Sequence, residues 1–273
     1  MDIWLQQLFN GLSLGSILLL VAIGLAFSFG LMNVINMAHG EMIMVGAYSA
    51  YLAEQILGGP MGTSAPDVSF LVALPVAFIV AGVLGMLLEV SLVRRLYGRP
   101  LDTLLATWGV SLVLQQAARS IFGAPNVQVT TPSWLQGGIA VTGTFSMPYI
   151  RLFIIAMVVV AILLVWLYLV RTAPGRRTRA VMQNREIAAA LGVNTARVDM
   201  LTFGLASGLA GLAGCALALI GPIGPSLGTY YIVDSFLVVI LGGLGQILGT
   251  AAAALAIGLT NAFLEFQLSA SVA

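Results

Sequence analysis

The chain has 273 residues, of which 60% are hydrophobic and only 8% are charged, and its formal net charge is +1. Its mean hydropathy is +1.05. Soluble domains carry about 25% charged residues, so this composition excludes a soluble globular protein and indicates a surface that faces lipid. Backbone amides in lipid must be paired within the structure, and the apolar runs are long and do not alternate with polar residues. The sequence therefore predicts an all-α transmembrane bundle that forms a single domain over residues 1–273.

About eight apolar runs are long enough to cross a bilayer. The second of them, 41–57, is short, which favours a half-helix or a helix enclosed by protein. The last two runs can be interpreted either as two separate crossings or as one kinked or re-entrant element. The predicted crossings are residues 8–30, 41–57, 69–93, 103–121, 149–171, 199–221, 232–249 and 250–268.

All eleven basic residues are arginine, and nine of them lie in the two segments 94–99 and 171–197. The positive-inside rule places both segments in the cytoplasm. The segment between them, 122–148, is rich in proline, threonine and glycine, and we expect it outside. Counting crossings in both directions predicts external N- and C-termini. The first apolar run follows no basic region, so we expect a retained helix and not a signal peptide.

Small residues recur at spacings of three and four between residues 204 and 214, in GLASGLAGLAG. In lipid, helices associate through close contact of small faces, because no hydrophobic drive brings them together. This segment is therefore predicted to be a helix buried among neighbours, with Cys215 as a small packing residue beside it.

Polar residues interrupt the apolar stretch that would otherwise run from 8 to 57. They include Asn33, Asn36 and His39, the only histidine. Irregular or polar backbone persists at membrane depth only where protein or a water-filled cavity surrounds it. One interpretation is a broken helix that lines a transport path; the other is a short cytoplasmic turn. A single histidine without accompanying cysteines does not predict a metal site.

The predicted crossing 103–121 carries a second polar pattern. Thr107, Ser111 and Gln115 are four residues apart and fall on one helix face. Trp108 lies on the adjacent stripe and could supply a flat apolar wall. Polar side chains within a crossing normally face a cavity or another helix. Uncharged hydroxyls and amides suit a neutral solute that donates and accepts hydrogen bonds, although structural bonds between helices explain the pattern too.

The second arginine-rich segment, 171–198, is predicted to contain a short amphipathic helix over 177–191. Gly192 would end that helix, and Asn194 would cap the next one. A basic helix parallel to the membrane can bind anionic lipid or dock onto a cytoplasmic partner.

Four pieces of the sequence stand out together, in order along the chain: INMAHGE (35–41), TLLATWGVSLVLQQ (103–116), NREIAAALGVN (184–194) and YIVDSFLVVILGGLGQILGT (231–250). As a set they resemble the permease subunits of ABC importers of the branched-chain amino-acid type. The ATWG…LQQ pattern and the following AARSIFGAPNVQV look most similar to the urea-importer branch of that family. Family members usually continue beyond the position of Val272 with a further apolar helix and a basic end, and this chain does not.

The resemblance implies a heterodimer of two related permeases, a periplasmic solute-binding protein and two cytoplasmic ATPases that would bind ATP and Mg. The chain itself has no GxxxxGK[ST] loop and so no predicted ATP site. A segment similar to the coupling helix of ABC importers consists of Glu186, Ala188, Ala189, Leu191 and Gly192, with Ile187 and Ala190 between them.

We therefore expect alternating access for a small neutral solute, with urea preferred. Away from the helix ends, no predicted crossing carries an arginine or lysine that could neutralise a substrate carboxylate. This disfavours an amino-acid substrate. It does not exclude one, because the dipole ends of half-helices can bind amino acids as well. The other functional classes considered are a passive channel and an intramembrane enzyme. A passive channel would not need a coupling segment. Asp234 and Glu265 are expected to cap helices or bond to neighbours. The predicted path is lined by Thr107, Trp108, Ser111, Gln115, Asn33, Asn36 and His39.

Overall fold

The computed structural model describes residues 2–32, 34–61, 65–142, 145–243 and 246–272 of the chain. These residues form a helical bundle, which confirms the all-α prediction. A small antiparallel hairpin of strands β1 and β2 joins α4 to α5. The elements are α1 Asp2–Met32, α2 His39–Met61, α3 Ala65–Ser91, α4 Pro100–Phe122, β1 Gly138–Thr142, β2 Phe145–Pro148, α5 Tyr149–Arg171, α6 Ala173–Gln183, α7 Arg185–Ala190, α8 Thr195–Ile220, α9 Leu227–Gly242 and α10 Ile247–Val272.

Eight long helices correspond one by one to the eight predicted crossings. Within the described residues, five of them are long and apolar enough to cross a membrane: α1, α3, α5, α8 and α10. The second helix is longer than the predicted crossing 41–57, because α2 has 23 residues and begins with His39 and Glu41. It is therefore not a half-helix, and the alternative of a helix enclosed by protein is confirmed for its first half, which is largely buried. Helix α9 has 16 residues, which at a rise of 1.5 Å per residue is about 24 Å, shorter than the bilayer core.

The last two predicted crossings are separate helices rather than one kinked element. They divide at 243–246 and not at 249–250 as the sequence suggested. Gly243 adopts a φ of +86°, a backbone conformation that glycine takes without steric cost. The chain therefore leaves α9 at this residue.

Helix α8 occupies the centre of the bundle and packs against α1, α2 and α3. Its contact with α2 is so close that a Cβ atom built on Gly46 would lie 2.0 Å from the carbonyl oxygen of Gly211. The Cys215 thiol lies 3.4 Å from the Gly46 carbonyl oxygen on the same interface. This confirms the prediction of a glycine-rich helix buried among neighbours, with Cys215 as a packing residue.

The two arginine-rich segments meet at one end of the bundle, as their common cytoplasmic assignment requires. Arg94 donates a hydrogen bond to the carbonyl oxygen of Ala196 at 3.2 Å. The prediction of a single amphipathic helix over 177–191 is wrong, because the segment divides at Asn184. Asn184 ends α6 and caps α7, since its side chain accepts a hydrogen bond from the backbone amide of Ile187 in the first turn of α7.

The ends of the two short helices follow local sequence signals. Gly192 has a φ of +82°, and the backbone amide of Val193 bonds to the carbonyl oxygen of Ala188 at 3.0 Å, so α7 ends in a Schellman motif. The Asn194 side chain accepts a hydrogen bond from the Arg197 amide at 3.0 Å. Both predicted caps are confirmed.

Candidate functional site

Residues 34–38, which lead into α2, are not helical and lie inside the protein. Val34 and Ala38 are buried, and Asn36 is 0% exposed. His39 opens α2, and its Nε2 lies 3.2 Å from the carbonyl oxygen of Val21 on α1. This burial excludes a solvent-exposed turn and supports a helix broken inside the bundle. Asn33, which the sequence analysis assigned to the same path, lies outside the described residues.

Helix α4 holds this break through Thr107. The backbone amide of Met37 donates a hydrogen bond to the Thr107 hydroxyl at 3.1 Å. The Thr107 hydroxyl donates a hydrogen bond within α4 to the carbonyl oxygen of Thr103 at 2.8 Å. The same hydroxyl lies 3.4 Å from the carbonyl oxygen of Ile35 in the break. A backbone amide released by the missing helical turn is thereby paired, as a buried donor requires.

A buried carboxylate on α2 is bonded to Ser111 and Gln115, the next two polar residues on the same face of α4 as Thr107. The Ser111 hydroxyl donates to Oε1 of Glu41 at 2.8 Å, and the Gln115 amide donates to the same oxygen at 2.9 Å. Gln115 also lies 3.0 Å from the Thr229 hydroxyl at the start of α9. The sequence analysis quoted Glu41 within the polar break but did not select it as a site residue. Its position as the acidic residue of that break was the available signal.

Arg119 is one helical turn beyond Gln115 and lines a cleft of about 1260 Å³. Its guanidinium lies 3.4 Å from the Ser226 hydroxyl in the connection between α8 and α9. The cleft opens at the end of the bundle opposite the two arginine-rich segments. Thr107, Ser111, Gln115 and Arg119 therefore form a continuous polar file from the buried break to this cleft.

Three more charged residues line the cleft: Arg151, Asp234 and Glu265. Neither they nor Arg119 form an ion pair with any side chain that the structure describes. Of the two roles expected for Asp234 and Glu265, capping is wrong, because these residues lie inside α9 and α10, where both line the cleft. The cleft therefore presents charges of both signs to a ligand.

Trp108 is not part of the polar file. It lies on the outer side of α4, where 52% of the residue is exposed. The expected flat wall beside Thr107, Ser111 and Gln115 is therefore not formed within this chain, because a shift of one residue turns a helix position by about 100°.

A charged network at the opposite end of the bundle ties the end of α3 to the loop before α4. Arg94 binds both oxygens of Glu89, at 3.1 and 2.8 Å, and the Tyr97 hydroxyl donates to Glu89 at 2.8 Å. Glu89 is fully buried. The hydrogen bond to Glu89 raises the pKa of Arg94 above its ordinary value.

The same network continues to the start of α8. Arg185 binds both carboxylate oxygens of Asp199, with one contact at 3.1 Å, and its guanidinium lies over the Tyr97 ring at 5.2 Å from the centroid. The hydrogen bond to Asp199 raises the pKa of Arg185, so this cation stays charged. The network was not predicted from the sequence, because no local motif marks its two parts, at residues 89–97 and 185–199, and only the fold brings them together.

The predicted coupling residues lie at the tip of α7, next to this network. Ala188 is buried and fixes the short helix on the bundle. Leu191 is 79% exposed, and Ile187 is exposed beside it. Glu186, Ala189 and Gly192 are exposed as well. Two apolar side chains thus project from a basic segment. In the described ranges, no three His, Cys, Asp or Glu side chains are grouped closely enough to hold a metal ion.

The chain is similar to permeases along nearly its whole length. The family described as "Branched-chain amino acid transport system / permease component" matches residues 7–273. The branched-chain amino acid permease BraD of Pseudomonas aeruginosa is 32% identical, over 95% of this chain and 86% of BraD. The permease LivH of Escherichia coli K12 is 30% identical, over 97% of this chain and 87% of LivH.

A more distant relative is the probable LivH of Methanocaldococcus jannaschii, which is 26% identical over 94% of this chain and 79% of the relative. No solved structure matches the chain significantly. The chain therefore belongs to the branched-chain amino acid transport permease family, as a multi-pass transport subunit of the inner membrane and not an enzyme.

Proposed function

We propose that this chain is the permease subunit of an ATP-driven importer of branched-chain or related amino acids. The matched permeases BraD and LivH are named for that substrate class. They favour the amino-acid alternative over urea, and the preference for urea is not supported. Arg119 and Arg151 stand near the ends of α4 and α5, and the sequence alone therefore predicted no cation within a crossing for a carboxylate. In the fold both line one cleft, where a cation is available to a carboxylate.

The observation that carries the proposal is the polar file on α4, which connects the open cleft to the buried break. Four residues of helix rise about 6 Å, so the file from Arg119 to Thr107 spans about 18 Å, more than half of a bilayer core. Asn36 and His39 lie buried at its inner end. Broken helices of this kind line substrate paths in many transporters. In this proposal, alternating access opens the file first to the cleft and then to the opposite side.

The proposed assembly contains a second related permease, two cytoplasmic ATPases that bind ATP and Mg, and a solute-binding protein. The α7 tip, with Leu191 and Ile187 exposed, would dock into an ATPase. Asn184 and the turn at Gly192 fix the geometry of this tip at its two ends. The solute-binding protein would dock at the opposite end, where the cleft opens.

The substrate class can be tested by ATP-dependent uptake into proteoliposomes that contain the complete transporter, with labelled leucine and labelled urea compared. We expect saturable uptake of leucine and background uptake of urea. Uptake of urea without leucine would overturn the substrate assignment. Uptake at equal rates with and without ATP would overturn the importer in favour of a channel.

Leu191→Asp tests the docking tip. A buried charge in an apolar contact is costly, so we expect this variant to lose co-purification of the ATPase subunits while the permease itself folds. Gln183→Asp is the matched control, because Gln183 is exposed at the end of α6 and outside the tip. Equal ATPase recovery with Leu191→Asp and with the control would contradict the assignment of the tip.

A further inference from the structure

Glu41 is the most unusual charged group inside the bundle. The residue is 1% exposed. Its Oε1 accepts hydrogen bonds from Ser111 and Gln115, whereas its Oε2 is buried and meets no donor among the described residues. A carboxylate in a protein interior is normally paired with a cation or fully hydrogen-bonded. Here one oxygen is satisfied, and the other is open to a donor from outside the part of the chain that the structure describes.

Glu41 has no cationic partner among the described residues. It lies in the first turn of α2, where the positive end of the helix dipole favours an anion. Ser111 and Gln115 are neutral donors. Arg119, the cation of the same file, is bonded to Ser226 rather than to Glu41. The position opposite the second oxygen of this carboxyl group is therefore open to a cationic group from outside the described residues.

Other buried polar atoms nearby in the chain lack partners in the same way. They are Oδ1 and Nδ2 of Asn36 and Nδ1 of His39, both residues being 0% exposed. A cluster with a purely structural role would pair these atoms with one another, because each unpaired buried group costs free energy. These atoms belong to the break before α2, whose backbone is bonded to Thr107 at the inner end of the polar file.

We propose that Glu41 recognises the α-ammonium group of the amino acid during its passage, with Oε2 as the acceptor. This inference rests on the proposed function. An ammonium group has three donors and no acceptor, and it matches a free carboxylate oxygen with charge-assisted bonds. The substrate carboxylate would point back along the file toward Arg119, on the cleft side of Gln115. Urea carries no positive charge and gains no such pairing.

Two substitutions separate charge from shape. Glu41→Gln keeps the carbonyl acceptor for Ser111 and Gln115 but removes the charge. Glu41→Asp keeps the charge and shortens the side chain. Glu54→Gln is the matched control, because Glu54 lies on the same helix and accepts its hydrogen bond from the backbone of Thr130 at 3.0 Å, outside the polar file.

The test uses the complete transporter in proteoliposomes, supplied with saturating leucine-loaded binding protein. We expect Glu41→Gln to lower leucine uptake about 10-fold or more, the effect of losing one charge-assisted contact. Glu41→Asp should retain more uptake than Glu41→Gln, and Glu54→Gln should match the wild type. Thermal stability and the ATPase activity stimulated by binding protein should remain near wild type in Glu41→Gln, which a folding defect would not allow.

Several outcomes would overturn the inference. They are wild-type uptake by Glu41→Gln, equal losses in Glu41→Gln and Glu41→Asp, or a loss of uptake that follows a loss of thermal stability. Each leaves the amino-acid importer intact as long as the wild-type transporter takes up leucine. A wild type that transports urea and not leucine would instead remove the proposed function itself.

Discussion

Replacing Gly46 with alanine is expected to prevent α2 from packing against α8 and to destabilise the permease by about 3 kcal/mol. The added Cβ would lie 2.0 Å from the Gly211 carbonyl oxygen, which belongs to the backbone and cannot rotate away. Helix α8 cannot move back, because a Cβ atom at Gly211 would already lie 2.6 Å from the Ala77 carbonyl oxygen of α3. Association of helices in lipid depends on such close packing.

Thermal unfolding of the detergent-purified protein measures this effect. Gly109→Ala is the matched control, since a Cβ atom on Gly109 of α4 meets nothing within 4 Å. We expect the control to be neutral or more stable by about 0.5–1 kcal/mol, because alanine favours helix more than glycine does. Equal stability of Gly46→Ala and the control would show that the two helices are not in contact at this point.

Arg185→Ala is expected to destabilise the arginine-rich end of the bundle by about 1–3 kcal/mol, because it leaves a buried carboxylate unpaired while the arginine side chain is itself 38% exposed. The substitution leaves the Asp199 carboxylate, whose side chain is 0% exposed, without its bidentate partner. It also removes the contact with the Tyr97 ring, which links α7 to the loop before α4. Because α7 carries the proposed docking tip, ATP-driven transport should fall together with thermal stability.

Arg177→Ala is the control for this prediction, since Arg177 is an exposed arginine of α6 in the same basic segment. Its loss should cost little, as exposed charges contribute about 0–1 kcal/mol. Removing both Arg185 and Asp199 should restore part of the stability, because no unpaired buried charge is then left. Additive losses in the double variant would contradict a direct pairing of the two residues.

The candidate site illustrates which contacts a sequence can predict. The spacing of Thr107, Ser111 and Gln115 placed them correctly on one helix face, since residues four apart lie on one side of any α-helix. What that face contacts was not predictable. Glu41, which accepts hydrogen bonds from Ser111 and Gln115, is 70 or more positions away from them in the chain. Without this carboxylate, a row of neutral side chains that binds a neutral solute was the simplest interpretation.

The charges of the cleft were misjudged for a related reason. Arg119 and Arg151 looked like the basic edge of an external loop, and Asp234 looked like a cap. Only the packing of α4 and α5 with α1, α8, α9 and α10 around one space brings them together. The interpretation of the substrate therefore changed with the fold, and the relatives named for branched-chain amino acids agree with the change.

The sequence by itself determined the class of protein, the approximate positions of its eight long helices, the caps at Gly192 and Asn194, and the burial of the glycine-rich helix. These features depend on composition, apolar run length and local backbone preferences, which neighbouring residues specify. Only the tertiary structure decided that the break before α2 is buried and that a carboxylate on α2 binds the file on α4. It also decided that a charged network fixes α7. Each of these depends on residues that are distant in the chain and that packing alone brings into contact.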